Sequence, residues 1–339
     1  MHHHSNFLPT HSKVLLLLLL LFITLHTPNT AMAATKKLLV GYVPEHFSAP
    51  LLQLLEHDKE LAEWVELVPN PSGTGQMISA LKERSIHLAV ALTESLIAGI
   101  ILGKGDYKLI GTYVTSPLNW AVITGANTKY KSIADLKGQK MGISRPGSGS
   151  QVMASVMALQ QGWANSPDSA LEFVVKDSFK NLRDSVNDGS TAAFMWEWFT
   201  TKPYQDSGEV KFIGSQPTPW ESWMIAASPE SVDPELLAPE KLRLFLSKLD
   251  ESIHRFGAEL GIRSPEDVKY IQDTFHQKEE DVKEWMKGVS YPKKTHEISQ
   301  KTLQETVKDL GLAGVILDAS KVVIPDQLVN TDVAKVIQT

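Results

Sequence analysis

The residues best suited to chemistry lie in one glycine- and serine-rich loop. The stretch GISRPGSGSQ runs from Gly142 to Gln151, and the apolar-periodic VMASVMALQQGW follows it. A short apolar strand is predicted to enter the loop and a helix to leave it. Several backbone N–H groups are then free at a helix N-terminus, where the helix dipole also favours negative charge. The loop therefore predicts contact with a carboxylate, sulfonate or phosphate group.

Each residue type in this loop has a distinct use. Glycines permit backbone conformations and a close approach that side chains block, serines add hydroxyl groups, and an arginine adds a planar fork for an anion. The loop is not a Walker loop, because no Gly-Lys-Ser/Thr follows, and GSGSQV lacks the third glycine of a dinucleotide fingerprint. An ordinary strand-to-helix turn with a serine N-cap is the alternative. The loop residues expected to touch a ligand are Ser144, Arg145, Gly147, Ser148, Gly149, Ser150 and Gln151.

Tryptophans form a second group. Five of the eight fall in three short stretches at predicted strand ends or lobe junctions, namely Trp120, Trp196 with Trp198, and Trp220 with Trp223. If Trp196-Glu197-Trp198 is a strand, both indoles share one face and the glutamate takes the other. Such pairs suit a flat or cationic ligand, and core packing is the alternative for any single indole.

Isolated polar residues follow several predicted strands. Glu45 and His46 follow the first strand, Thr93 and Glu94 follow HLAVAL, and Ser116 and Asn119 lie at a lobe junction beside Leu118. In open α/β sheets the carboxyl ends of the strands face the ligand crevice, so these residues are candidate contacts. Ordinary turn or capping roles are equally compatible with the pattern.

Catalytic and metal-binding motifs are missing from the sequence. It contains no GxSxG or HExxH motif and no cysteine, which excludes cysteine nucleophiles and cysteine metal sites. The histidines outside the leader show no metal-ligand spacing. We therefore expect a protein that is not an enzyme, with no catalytic residue, no metal and no cofactor.

Composition indicates an exported globular protein. The 339 residues are 42% hydrophobic and 21% charged, as in globular proteins. A basic residue, an apolar run of about a dozen residues and the small-residue stretch Ala31-Met32-Ala33 predict a secretory signal peptide over residues 1–34. That run is shorter than the ~20 residues that span a bilayer. Loss of Lys13 moves the formal charge from −6 to about −7, which argues against nucleic acid or anionic membranes as partners.

The remaining chain alternates predicted strands and helices in two series, which favours mixed sheets flanked by helices. Trp223–Ser228 is predicted as a last strand, and the chain is predicted to be helical from Pro229 onward. Ser264 is expected to cap a helix, and Gly311 to end another.

Five stretches resemble type 2 periplasmic solute-binding proteins, in the group that serves nitrate, sulfonate, taurine and thiamine-pyrimidine ABC importers. They are LLVGYVPEHFSAPL, HLAVALTESLIAGI, SIADLKGQKMGISRPGSGSQVM, AAFMWEWFTTKPY and PTPWESWMIA. The resemblance covers Lys37 to about Leu312. It implies an α/β fold of two lobes, each a mixed sheet flanked by helices, with the ligand in the cleft between them.

Carried onto this chain, the resemblance places lobe 1 at residues 35–117 plus 222–339, including the C-terminal helices, and lobe 2 at 118–221. Crossings between the lobes are expected near Thr115–Asn119 and Pro219–Ser222. The implied cleft residues are Glu45, His46, Thr93, Glu94, Leu118, Asn119, Trp120, the loop Ser144–Gln151, Trp196, Glu197 and Trp220.

The function implied is capture of a small anionic organic solute by a monomer that delivers it to an ABC permease and ATPase complex, in the periplasm if the organism is Gram-negative. The usual sulfonate and nitrate binders do not pair a serine-glycine loop with a Trp-Glu-Trp stretch, so an aromatic or amine-bearing anion fits as well. The alternatives are a ligand sensor without a permease and an enzyme on the same scaffold, related to thiamine-pyrimidine synthesis. The yeast enzyme of that kind depends on a cysteine-rich motif, which this chain lacks.

Overall fold

A computed structural model describes Met1 and residues 36–163, 171–257 and 264–338. The chain divides into a leading unit, Met1–Lys36, and a unit that runs from Lys37 to Thr339. Every element below belongs to the second unit, and the predicted signal peptide lies outside the described residues. None of the helices in the described part of the chain combines the length and the apolar character that a bilayer crossing requires.

Strands and helices alternate through the first two thirds of the chain. The strands are β1 (Leu38–Tyr42), β2 (Val65–Pro69), β3 (Leu88–Leu92), β4 (Lys108–Val114), β5 (Asn119–Gly125), β6 (Lys140–Ile143), β7 (Glu172–Val175), β8 (Ala193–Glu197), β9 (Val210–Pro217), β10 (Trp223–Ala227), β11 (Glu297–Ser299) and β12 (Lys335–Ile337). The α-helices are α1 (Ala49–His57), α2 (Lys59–Trp64), α3 (Thr74–Lys82), α4 (Thr93–Ile101), α5 (Gly149–Gln160), α6 (Phe179–Asn187), α7 (Trp198–Asp206), α8 (Pro239–Arg255), α9 (Pro265–Phe275), α10 (Glu279–Gly288) and α11 (Gln300–Leu312).

Two five-stranded mixed sheets organise these elements. The first has the order β2-β1-β3-β10-β4 and the second has the order β7-β6-β8-β5-β9. In each sheet the first three strands in this order are parallel to one another. The fourth strand is antiparallel to both of its neighbours, the third and the fifth. We call the first sheet with the helices packed on it the first lobe, and the second sheet with its helices the second lobe. The predicted two-lobe α/β fold is confirmed.

The chain passes between the two sheets twice. It leaves the first sheet after β4, enters the second at β5, and returns between β9 and β10. The two crossings are bonded to each other, because the Leu118 N–H donates to Thr218 Oγ1 at 2.9 Å and the Ser222 hydroxyl donates to the Ser116 carbonyl at 2.7 Å. Thr93, at the start of α4, donates its hydroxyl to the Glu221 carbonyl. The crossings therefore form one hydrogen-bonded junction.

A single apolar cluster extends through both lobes. It joins buried residues of the first sheet, such as Leu38 and Val90, to residues of the second, such as Val122 and Met141. Burial of this kind contributes about 25 cal/mol per Å² of apolar surface. A smaller cluster around Phe194 covers the other face of the second sheet. The two lobes are thus packed against each other along part of their boundary.

The C-terminal region differs in part from the sequence prediction. Helices α8 to α11 are present and the Ser264 side chain caps α9 as predicted, but β11 and β12 form a short parallel ribbon inside the region predicted to be wholly helical. Each of these strands has only three residues, too few to show an alternating pattern. Helix α11 also continues past Gly311 to Leu312, and the left-handed residue beyond it is Gly314, with φ +70°.

Substitution of Gly111 tests how closely the C-terminal region packs on the first sheet. A Cβ at this position would collide with the carbonyl oxygen of Thr295, which is held by the Thr112 N–H at 2.8 Å. We expect Gly111→Ala to lower the free energy of unfolding by about 1–3 kcal/mol, because the obstacle is backbone rather than a flexible side chain. Denaturant unfolding measures the change.

Gly288 supplies the control, since nothing lies within 4 Å of the corresponding Cβ. Gly288→Ala should leave the unfolding free energy within about 0.5 kcal/mol of wild type. Equal effects of the two substitutions would contradict this account of the packing.

Candidate functional site

A cavity of about 50 Å³ lies between the two sheets, and we call it the inner cavity. It is bounded by residues at the carboxyl ends of β1 to β3 and by residues that follow β6 and β8 in the second sheet. Its lining residues are Val43, Glu45, Ser72, Gly73, Thr74, Gly75, Leu92, Leu118, Trp120, Ser144, Ser148, Gly149, Ser150, Trp196, Glu197 and Trp223.

Two helix N-termini, one from each lobe, open on this cavity. Thr74 and Gly75 begin α3, and Gly149 and Ser150 begin α5. The backbone N–H groups of these four residues have no acceptor within the described part of the chain. First-turn amides and the helix dipole together favour an anion. The cavity is therefore electrostatically suited to a negatively charged group at this end.

Side chains of the α5 loop hold its shape. Ser150 Oγ accepts a hydrogen bond from the Ser144 N–H at 3.2 Å and lies 2.9 Å from Ser148 Oγ, while the Gly147 N–H donates to Gln151 Oε1 at 2.6 Å. Gly147 is left-handed, with φ +78°, a conformation that glycine adopts at little cost. The hydroxyl groups thus fix the turn, and the helix amides remain available.

Gly149 leaves room that a larger residue would fill. A Cβ there would lie 2.8 Å from Leu92 Cδ1, 2.8 Å from Trp120 Cη2 and 3.0 Å from Glu94 Oε1. The start of α5 therefore approaches the first lobe closely, and only a residue without a side chain permits this approach.

Two tryptophans with unpartnered indole N–H groups line the same cavity. Trp120 and Trp223 line it, are 4% and 2% exposed, and have buried Nε1 atoms with no hydrogen-bond partner among the described residues. A buried donor without a partner costs about 1–3 kcal/mol. A ligand with acceptor atoms would satisfy such donors.

Two carboxyl groups also line the cavity. Glu45 accepts a hydrogen bond from Trp196 Nε1 at 3.4 Å, and Glu197 accepts one from the Thr200 N–H at 2.6 Å as the N-cap of α7. Burial raises the pKa of Glu45 to about 7. Burial, together with the nearby Glu45 charge, raises the pKa of Glu197 to about 8. An ammonium group placed between them would relieve the cost of ionising both.

Glu94 is fully buried at the start of α4. Its Oε2 accepts a hydrogen bond from Trp220 Nε1 at 3.1 Å, and its Oε1, on the side facing Gly149, has no partner among the described residues. Burial raises its pKa to about 7. Glu94 therefore lies directly behind the cavity wall without being part of the lining.

His46 is enclosed beside Glu197. Its Nε2 atom lies 3.8 Å from Glu197 Oε2, and Nδ1 lies 2.9 Å from Gln277 Nε2. Burial lowers the pKa of His46 to about 3, so the imidazole is neutral at physiological pH. The rings of Phe47 and Trp285 pack on it. His46 supports the carboxyl side of the site from outside the inner cavity.

Part of the site predicted from sequence comes together at the inner cavity. The predicted residues that line it are Glu45, Leu118, Trp120, Ser144, Ser148, Gly149, Ser150, Trp196 and Glu197. The predicted residues that do not line it are His46, Thr93, Glu94, Asn119, Arg145, Gly147, Gln151 and Trp220. Most of the second group touch residues of the first, whereas Thr93 belongs to the junction of the crossings.

The condition for Trp196 and Trp198 to share one face, a strand through both residues, is not met. Strand β8 ends at Glu197 and helix α7 begins at Trp198. The indoles therefore part: Trp196 lines the inner cavity, and Trp198 packs on Phe212 with ring centroids 4.7 Å apart. Glu197 caps the helix that Trp198 starts, which explains why the alternation stops there.

The sequence reasoning missed the loop Ser72–Gly75, which comprises the end of the connection after β2 and the first two residues of α3. Its letters SGTG follow a strand and precede a helix, the same signal that drew attention to the α5 loop. Arg145 ties the two loops together, because its Nη2 donates to the Ser72 carbonyl at 3.0 Å and its side chain lies against Gly75. A systematic search for strand-glycine-helix units would have found this loop.

Ion pairs connect the second lobe to the C-terminal helices at the edge of the cleft. Lys202 on α7 lies 3.1 Å from Asp281 of α10, and Asp206 lies 2.7 Å from Lys278. These pairs are partly exposed, so each contributes at most about 1 kcal/mol. No group of three or more potential metal ligands occurs among the residues that the structure describes.

The raised pKa values of Glu45, Glu94 and Glu197 predict that the unliganded protein loses stability as the pH rises. A raised pKa in the folded state means that folding retains protons that the unfolded chain releases, so stability falls with pH up to the folded pKa. The lowered pKa of His46 makes stability rise with pH, but only below about pH 6.5, the pKa of a histidine in the unfolded chain. Between pH 6.5 and 8.5 we expect a loss on the order of 3 kcal/mol in thermal or denaturant unfolding.

Glu197→Gln should flatten this profile, because a neutral amide cannot ionise. The exposed Glu63→Gln serves as the matched control and should keep the wild-type slope. A wild-type stability that is constant or rises over this range would show that the carboxyl groups are not buried as described.

Comparison with known proteins places this geometry in a family. The model of a family described as Ca3427-like PBP matches residues 120–216. No curated protein matches the chain significantly in sequence. Among solved structures, the alkanesulfonate-binding protein SsuA of Xanthomonas axonopodis pv. citri bound to MOPS has a TM-score of 0.66 at 15% identity, covering 90% of this chain and 100% of its own. The ligand-binding component of an ABC-type import system from Staphylococcus aureus, with zinc bound, has a TM-score of 0.65 at 14% identity, covering 87% and 96%.

A far closer match is the Candida albicans CA3427 gene product, described as defining a new family with the generic periplasmic binding protein fold. It is 36% identical, with a TM-score of 0.77, over 88% of this chain and 96% of that one. The chain therefore belongs to the CA3427 family of proteins with the periplasmic binding protein fold.

Proposed function

We propose that this protein is an extracytoplasmic solute-binding protein that captures a small amine-bearing organic anion in the inner cavity and delivers it to an ABC importer. The observation that carries the proposal is the convergence of the α3 and α5 N-termini on one cavity between the lobes, which two tryptophans with unpartnered indole N–H groups also line. The four free amides form a donor set for an anionic head group.

The two carboxyl groups in the lining are the reason for proposing an amine on the ligand. Glu45 and Glu197 are close enough for the charge of one to raise the pKa of the other. A ligand ammonium group would neutralise this pair while its anionic group occupies the helix end. A purely anionic ligand would instead face both carboxyl groups across a short distance, which is unfavourable at low effective dielectric.

Delivery to an importer is the further part of the proposal. The sequence carries a segment with the features of a secretory signal, and the similar S. aureus protein is described as part of an ABC-type import system. In this reading the protein acts as a monomer outside the cytoplasm, and its partner is a membrane permease with an ATPase. Co-purification of a permease from host membranes with the ligand-loaded protein tests this part, and recovery of no membrane component would contradict it.

A ligand panel tests the binding part of the proposal. We expect taurine and aminomethylphosphonate to raise the melting temperature and change the tryptophan fluorescence more than propanesulfonate, which lacks the amine, or propylamine, which lacks the anion. A ligand at one hundred times its Kd adds about 2.7 kcal/mol of stability. Absence of any response to the whole panel would overturn the proposal.

Gly149→Val should abolish this response. The added side chain would occupy the space between Leu92, Trp120 and Glu94 and cover the first amides of α5. We expect at least a hundredfold loss of affinity by isothermal titration, with Gly288→Val as a control that binds like wild type. Unchanged binding by Gly149→Val would show that the ligand sits elsewhere.

A further inference from the structure

A second and larger cavity lies on the far side of Glu45, and we call it the outer cavity. Its volume is about 660 Å³, and residues of the first lobe, the second lobe and the α9–α10 connection all contribute to it. Five half-buried aromatic side chains line it: Tyr42, Phe179, Phe199, Tyr204 and Phe275. None of these rings was among the residues expected from the sequence to contact a ligand.

The inner and outer cavities differ in volume, so they could hold different parts of one ligand. Pockets for organic ligands usually enclose about 300–1,000 Å³, a range that includes the outer cavity but not the inner cavity at about 50 Å³. The inner cavity has room for a head group of a few atoms. Any larger body attached to that head group must lie outside it.

Glu45 is the boundary between the two spaces. It lines both cavities and is the only described residue that does so. Beside it, Trp196 lines the inner cavity and Phe179 lines the outer one, with ring centroids 5.0 Å apart. A group bound at the Glu45 carboxyl is therefore at the point where a ligand would pass from one cavity to the other.

The charge of the outer cavity favours a cation. Of the described residues that line it, Glu45 is the only acid and none is Lys or Arg, and the two histidines are the buried, neutral His46 and the exposed His276. The nearby cations are already engaged: Arg183 lies over the Phe179 and Tyr204 rings and is bound by Glu209, and Lys202 and Lys278 are paired with aspartates. Aromatic faces attract ammonium groups through the ring quadrupole, and among the described residues no cation lies over the rings of Tyr42, Phe199 and Phe275.

We propose that the outer cavity is a second binding site, which holds an organic ammonium group and the aromatic or aliphatic body attached to it, with Glu45 as the counter-charge. This deepens the proposed function and rests on it for the anionic head group in the inner cavity. The solute is then a three-part molecule, with an anionic head between the helix N-termini, an amine at Glu45 and an apolar body among the rings.

A cation too large for the inner cavity tests the outer site alone. Benzyltrimethylammonium chloride is titrated into the full chain and binding is followed by isothermal titration and by saturation-transfer NMR, with benzyl alcohol as the neutral comparison. We expect the cation to bind at least about fivefold more tightly than the alcohol, and Glu45→Gln to remove that preference. Equal binding of cation and alcohol, or no binding of the cation, would overturn the proposal.

Phe199→Ala tests the aromatic lining, with Phe212→Ala as the matched control. Both phenylalanines are half-buried in the second lobe, and only Phe199 lines the outer cavity. We expect about a fivefold to tenfold weaker binding of the cation by Phe199→Ala and wild-type binding by Phe212→Ala. If Phe199→Ala does not fold, Phe199→Leu keeps an apolar side chain and should show the same loss. Wild-type affinity in a folded Phe199 variant would contradict the site.

The inner and the outer binding sites can be disproved independently of each other. Gly149→Val is expected to bind benzyltrimethylammonium like wild type, because the substitution fills only the inner cavity. Taurine binding is expected to survive Phe199→Ala for the corresponding reason. Loss of the cation response alone removes the outer site, whereas loss of the taurine response alone removes the inner one.

Discussion

The parallel pairing of three strands in each sheet is the constraint on which the rest of the structure depends. Parallel neighbours must be joined by crossovers, so the helix that follows each of these strands begins at the same edge of its sheet. In both lobes that edge faces the gap between the sheets. Helices α3 and α5 therefore bring their N-termini to one place, although their first residues, Thr74 and Gly149, are 75 positions apart in the sequence.

Hydrogen-bond donors and acidic groups both line this gap. The free amides of the helix N-termini favour negative charge, while the buried carboxyl groups of Glu45 and Glu197 favour a proton or a cation. Burying such groups without partners is costly in a single folded core. A ligand bound in the cleft would supply the missing partners. Relief of the free-energy cost of the unpaired buried groups would then contribute to the free energy of binding.

The sequence predicts the fold well and the site in part, for physical reasons. Alternating strand and helix patterns are local, so the two-lobe architecture and the loop at Ser144–Ser150 could be recognised from residue types alone. Which side chains face the cavity depends on contacts between distant segments, and so Trp223 and the loop at Ser72–Gly75 were missed. The three-residue strands β11 and β12 are defined by each other rather than by any pattern of their own. The end of β8 at Glu197 is set by a helix cap, which separates Trp196 from Trp198.

The bonded junction between the crossings has a mechanical consequence. Each crossing contains a proline, Pro117 in one and Pro219 in the other, and proline fixes φ near −65°. With Leu118 and Thr218 bonded to each other through both backbone and side chain, few torsions are left to absorb a rotation of one sheet against the other. A rotation of one sheet against the other would therefore have to be absorbed at few positions, which restricts the directions in which the two faces could separate.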